Sequence, residues 1–180
     1  MARVVVISGA AEHGKTAVAN ILKDILEADN KKCLIISFAN YLKYICKTYY
    51  GWDGKKDENG RHILQYVGTD VVRKKNPNFW VKTVIDFIKV FEDDYDYFII
   101  DDCRFKNEVN CFKDNGIQSL SIKVFRNNYK NHLTEEQRMH PSERDMDDYK
   151  FDYYIESESG IDNLSVQVQK MYDQYREIYW

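Results

Sequence analysis

Residues 3–8 read RVVVIS, a short apolar run rich in β-branched side chains, and the next eight residues read GAAEHGKT. Such a run suits a strand buried on both faces. Beyond it Val18, Ile21, Leu22, Ile25 and Leu26 recur at helical spacing, which predicts an amphipathic helix from Gly14 to Ala28. A strand that feeds a helix through one glycine-bounded turn confines the chain to a layered α/β arrangement, because the helix must fold back over its own sheet.

The turn has the spacing Gly9-x-x-x-x-Gly14-Lys15-Thr16, the P-loop pattern in full. Gly9 lets the chain leave the strand sharply, and Gly14 permits close approach of backbone to a phosphate. The N–H groups of the loop (Ala11, Glu12, His13, Gly14) and of the helix start (Lys15, Thr16, Ala17) then converge on an anion. Lys15 would place a point charge at the β and γ phosphates of a nucleotide, and the Thr16 hydroxyl would ligate Mg²⁺. His13 occupies a variable loop position and reads as a bystander rather than a base.

KCLIISF (32–38), YFII (97–100), IQSLSIKVF (117–125) and FDYYIES (151–157) read as four further strands. Helices are expected around Leu42, Ile45 and Cys46, from about His62 to Lys75, from about Asn78 to Phe91, and up to about Asn115. Pro77 fits the first turn of the helix near Asn78, where its missing N–H has no partner to lose. GWDGKKDENGR (51–61), with three glycines and six charged residues, reads as a loop. Ile161, Leu164, Val168, Met171, Tyr175 and Ile178 form one apolar helical face expected to pack on the core. The alternation implies an α/β fold with a mainly parallel sheet, in a chain of 180 residues that suits one domain.

A formal net charge of −3 gives no general attraction to nucleic acid, so a bound anion must be held by a local cluster of donors. Cys33, Cys46, Cys103 and Cys111 lack C-x-x-C spacing and paired histidines, which argues for free thiols in a reducing compartment and against zinc. Cys33 and Cys103 lie in or beside apolar runs and read as small core residues. No run of eighteen apolar residues occurs, and the run near the N-terminus is too short for a signal peptide. The expectation is a cytoplasmic protein that binds no membrane.

YFII runs into Asp101-Asp102, and an apolar strand ending in acid is where a P-loop protein places the carboxylate that holds a magnesium-bound water. The two aspartates point to opposite sides, so one of them is expected to face the metal. A small GTPase should carry an N-K-x-D motif and a D-x-x-G after the third strand, and neither is present. Arg104 follows instead, and an arginine there suits a second phosphate-bearing substrate better than a water nucleophile. In HILQYVGTDVVRKKN, Leu64, Val67 and Val71 make an apolar face while Gln65, Thr69 and Arg73 lie four apart on another. Gly68, in mid-helix, points to close approach of another group.

FANYLK (38–43), GWDGKKDENGRHILQYVGTDVVRKKNPNFWV (51–81), DDCRFKNEV (101–109) and HPSERDMDDYKFDYYIES (140–157) resemble successive motifs of bacteriophage-type deoxynucleoside monophosphate kinases. With the P-loop, the resemblance covers most of residues 3–165. It implies a three-layer, adenylate-kinase-like P-loop kinase fold on a five-stranded core. That core would use residues 1–50, 94–125 and 150–180, with an acceptor-binding region at about 51–92 and a lid at about 126–146. Lys15 and Thr16 would handle ATP and Mg²⁺, with Asp102 as the acidic partner acting through water. Phe38, Asn40, Lys43, Arg61, Gln65, Thr69, Arg73 and Arg104 would surround the acceptor, with Trp80 close to its base. Arg126 and Arg138 resemble lid arginines, and Ser142-Glu143 matches a family S-E pair.

The implied reaction moves the γ-phosphoryl of ATP to the 5′-phosphate of a deoxynucleotide. That acceptor is already a dianion near neutral pH, so no general base is required. Lys15, Arg73, Arg104, Arg126 and Mg²⁺ would neutralise the converging charge. Where the family often has Asp this chain has Asn40, which leaves base and sugar preference open. The S-E pair followed by an F-D strand also resembles animal-type phosphomevalonate kinases. A kinase for another phosphorylated small molecule and a nucleotide-dependent switch both stay open, as does a homodimer. If the gene is a phage's, the cytoplasm is the host's.

Overall fold

The computed structural model describes residues 3–129, 131–157 and 161–179. At its centre lies β1 (Arg3–Ser8), which pairs in parallel with β3 (Tyr97–Cys103) on one side and β4 (Ser119–Phe125) on the other. β2 (Cys33–Ile36) extends the sheet beyond β3, and β5 (Tyr153–Glu156) extends it beyond β4. The order is β2-β3-β1-β4-β5, all parallel. Both faces of such a sheet must be covered by helices.

Strand alternation divides the apolar side chains between two layers. Val5 and Ile7 of β1 and Tyr97 and Ile99 of β3 pack under α1 (Lys15–Ala28) and α8 (Ile161–Tyr179). Val4 and Val6 with Phe98 and Ile100 face α2 (Ala39–Tyr49), α4 (Phe79–Phe91) and α5 (Lys106–Asp114). Cys33 and Cys103 are buried in these layers, as expected. On α8 the apolar face is real through Leu164, Val168 and Met171, but Ile178 is 61% exposed and Tyr172 takes the next inward position. The side chain of Ile161 lies outside the described residues.

The stretch read as a loop to Arg61 becomes helical earlier. α3 runs Glu58–Gln65, because the Asp57 carboxylate accepts from the Gly60 N–H at 2.8 Å and caps it. Tyr66–Arg73 then continues as a π-helix. Its wider turn brings Val72, not Val71, back to the core beside Val67, and keeps Gln65, Thr69 and Arg73 on one side. Pro77 sits just before α4, ahead of the cap residue Asn78, and not inside its first turn. Gly68 meets the predicted close neighbour: a Cβ there would lie 2.7 Å from Leu42 Cδ2.

α6 (Glu135–Met139) and α7 (Pro141–Arg144) are short helices between β4 and β5. The connections β1–α1, β2–α2, β3–α5 and β4–α6 all leave the C-terminal edge of the sheet. That edge, beside a central strand where the chain's winding reverses, is where α/β folds bind ligands. No helix among the described residues is long and apolar enough to cross a membrane.

Candidate active site

The GAAEHGKT turn connects β1 to α1 and is built by its glycines. Gly9 has φ 146°, and a Cβ there would stand 2.1 Å from the Val124 carbonyl oxygen of the neighbouring strand. Gly14 has φ 93° at the start of α1. Both positions lie in the region that glycine alone enters cheaply. Lys15 folds back over the loop and donates to the carbonyls of Gly9 (2.8 Å) and Ala10 (2.7 Å). Burial, and then the nearby Arg104 charge, lowers its ammonium pKa to about 7.

Glu12, with φ 67°, ties three segments together. Its carboxylate pairs with Arg61 of α3 at 2.9 Å and accepts from the Tyr129 hydroxyl and the His132 N–H, both at 3.2 Å. His13 is held too: its Nδ1 accepts from the Arg126 N–H at 3.2 Å, and burial lowers its pKa.

The two aspartates of β3 separate as alternation requires, but the assignment is the reverse of the expected one. Thr16 Oγ1 donates to Asp101 Oδ2 at 3.0 Å, and Ser37 Oγ donates to Asp101 Oδ1 at 2.6 Å. Asp102 instead accepts from the N–H groups of Phe38 (2.8 Å) and Ala39 (3.0 Å), anchoring the start of α2. The carboxylate beside Thr16 is therefore Asp101. It shares the side of β3 occupied by Tyr97 and Ile99, on which α1 packs, while Asp102 follows Phe98 and Ile100 to the other layer.

That other layer contains a cavity. Its walls carry Phe38, Lys43, Arg61, Gln65, Thr69, Arg73, Trp80 and Arg104, eight of the nine residues expected around the acceptor. Asn40, the ninth, is exposed on α2 and stands outside it. Trp80 is buried and donates from Nε1 to the Gly68 carbonyl at 3.0 Å, which fixes its ring as a wall. Arg126 and Arg138 also lie outside this cavity. The Arg126 guanidinium stacks 4.1 Å from the Tyr129 ring centroid, and Arg138 reaches the Asn131 carbonyl at 3.5 Å.

Several cavity residues escaped the sequence reading. Lys56 joins Lys43 and Arg61 at one end, and burial together with those two charges lowers its pKa. Glu108 is 3% exposed and pairs with Arg73; it also accepts from the N–H groups of Arg104 (2.7 Å) and Phe105 (3.1 Å). Burial pushes the Glu108 carboxyl upward, and Arg73 and the amides pull it back. Arg73 also donates to Asn107 Oδ1 at 3.0 Å and to the Pro77 carbonyl at 3.2 Å, and it lies 3.8 Å over the Phe105 ring. Its guanidinium is thus largely committed to the protein, whereas Lys43 and Lys56 form no ion pair among the described residues, although Asp102 lines the same cavity, and Arg61 pairs with Glu12.

Solved structures share this architecture. A sugar kinase from Janibacter sp. HTCC2649 superposes with a TM-score of 0.55 at 9% identity, covering 100% of this chain and 99% of that one. A shikimate kinase from Aquifex aeolicus gives 0.51 at 11% identity over 97% and 99%. The Mycobacterium tuberculosis APS kinase in complex with AMPPNP and APS gives 0.50 at 11% identity over 97% and 98%. Identities this low establish the P-loop kinase fold and nothing finer. No curated protein matches the chain in sequence. Residues 6–168, however, match the family model of deoxynucleotide monophosphate kinases. That match leaves out only the ends of the chain, which belongs to the deoxynucleotide monophosphate kinase family and with it to the nucleotide monophosphate kinases.

Proposed function

We propose that the protein transfers the γ-phosphoryl group of ATP to the 5′-phosphate of a deoxynucleoside monophosphate, giving the diphosphate and ADP. The observation that supports this reading is the adjacency of the P-loop and the acceptor cavity at Arg104. Arg104 lines the acceptor cavity and also a smaller hollow bordered by Gly9, Ala10 and His13 of the P-loop, by the end of β4, and by Glu143 and Asp147. A phosphate on the P-loop and another in the cavity would both lie near the Arg104 guanidinium.

In this reading Lys15 releases the Gly9 and Ala10 carbonyls to bind the β and γ phosphates, as the P-loop amides close on them. Thr16 and Asp101 supply hard oxygen donors of the kind that hold Mg²⁺ directly or through water. The metal ion, when bound, screens the charge of the phosphates. Lys43, Lys56, Arg61 and Arg104 grip the acceptor phosphate, and Phe38, Leu42, Phe105 and Trp80 enclose its base. Arg73 braces this wall through Glu108, which in turn fixes the Arg104 backbone. The 126–146 segment acts as a lid that keeps water from the γ-phosphate. The APS kinase of the same fold was solved in complex with both AMPPNP and APS, which supports a fold that takes two ligands together. The four free thiols suit a reducing cytoplasm.

The test is ADP release measured across all deoxynucleoside and ribonucleoside monophosphates, with phosphomevalonate included. Turnover dependent on one or more deoxynucleotides is expected. Turnover only with phosphomevalonate, or at one slow rate whatever is added, would reject the reading.

A further inference from the structure

Glu143, on α7, joins the two sites. Its Oε2 accepts from the Ala11 N–H of the P-loop at 3.3 Å and from Arg104 Nη1 at 2.8 Å. The side chain is 11% exposed and faces both the acceptor cavity and the P-loop hollow. Its two donors are the kinds that recognise phosphate: a loop amide among those converging on the anion seat, and a guanidinium. An ionised carboxylate is an acceptor-only anion, so it satisfies both without any ligand. It also offsets Lys15 and Arg104, two cations whose mutual repulsion the fold must otherwise bear.

Resting on the kinase reading above, we infer that the Glu143 carboxylate occupies the seat of the transferred phosphoryl group until substrates arrive, and that phosphate binding displaces it. Two like charges cannot share one set of donors, so the phosphoryl group and Glu143 exclude each other there. The chain provides a joint for this movement. His140 is extended (φ −64°, ψ 143°) between α6 and α7, and Pro141 starts α7 without needing an N–H partner. α7 is four residues long and can turn as a unit. Glu143 is thus a positioning residue: it keeps Ala11 and Arg104 aligned for an anion, and its release sets a threshold for occupancy.

The test is calorimetric binding of inorganic tripolyphosphate and of Mg-ATP to the wild-type protein, Glu143→Gln and Glu143→Ala. With the competing charge removed, Glu143→Gln is expected to bind tripolyphosphate about tenfold tighter, and Glu143→Ala to gain in the same direction. Damage to the fold would weaken binding, so a gain separates displacement from a structural role. Equal or weaker binding by a folded Glu143→Gln overturns the inference. A wild-type protein that binds neither ligand would instead reject the kinase reading. Should both variants fail to fold, hydrogen exchange of residues 140–147 in the wild type decides. Tripolyphosphate is expected to speed exchange there, and unchanged or slower exchange overturns the inference.

Discussion

Thr16 Oγ1 donates to Asp101 Oδ2 across 3.0 Å, joining the first helix to the end of the strand beside β1. Asp102, the next residue, faces the opposite layer and holds the start of α2 through two backbone N–H groups. The two adjacent carboxylates therefore have separable roles. Asp101→Asn is expected to cut magnesium-dependent turnover about 10²-fold or more while leaving thermal unfolding nearly unchanged. Asp102→Ala strips acceptors from two buried amides and should cost about 1–3 kcal/mol of stability. Steady-state kinetics and denaturant melts of both variants check this assignment, and it fails if the two effects are exchanged.

Lys15 is held at a pKa of about 7 by burial while it bonds its own loop. An anion on the loop favours the charged ammonium and raises that pKa. The sign follows: affinity for ATP is fully present below about pH 7 and falls as pH rises above it, by about tenfold per unit until the bound-state pKa is reached. Titration calorimetry in buffers of different ionisation enthalpy should therefore show uptake of about one proton per ATP at about pH 8.5. Lys15→Ala should abolish both this uptake and phosphoryl transfer.

Arg73 and Glu108 form a buried pair, their side chains 11% and 3% exposed. Removing either partner strands the other, so Arg73→Ala and Glu108→Ala are each expected to lose about 3–5 kcal/mol. Their effects should be strongly non-additive in a double-mutant cycle. Arg104→Ala, by contrast, should lower kcat/KM for the acceptor with little loss of stability. Urea melts combined with acceptor kinetics distinguish a brace from a phosphate ligand.

Gly9 has φ 146° and no room for a Cβ, which would meet the Val124 carbonyl oxygen at 2.1 Å. Gly9→Ala should force β1 and β4 apart at the mouth of the site, with a stability loss on the order of 3 kcal/mol or more. A thermal melt close to that of the unaltered protein would contradict the tight passage of the loop.

Features that depend only on neighbours along the chain are legible in the sequence. The β-branched run of β1, the glycine spacing of the loop and the period of α1 each specify their own conformation. Even the opposite orientation of Asp101 and Asp102 follows from strand alternation. Which of them meets Thr16 does not, because it depends on β3 lying beside β1 with α1 over the Tyr97 and Ile99 face. The π-helix at Tyr66–Arg73 is hidden for a related reason. A 3.6-residue reading selects Val71, and only packing against α2 and α4 shows that Val72 turns inward. Lys56 lies in a segment whose glycines and charges signal a mere connection. Glu108 meets an arginine 35 residues away, a pairing no local pattern encodes. Asn40 shows the converse, since its motif places it near the acceptor and the fold turns it to solvent.

The most direct measurement follows one phosphorus atom. ATP labelled at the γ position is incubated with the protein, Mg²⁺ and a deoxynucleoside monophosphate, and the products are separated. The label is expected in the β-phosphate of the deoxynucleoside diphosphate, with little free phosphate formed while acceptor is present. Label released as inorganic phosphate at the same rate with or without acceptor would contradict the paired anion sites on either side of Arg104.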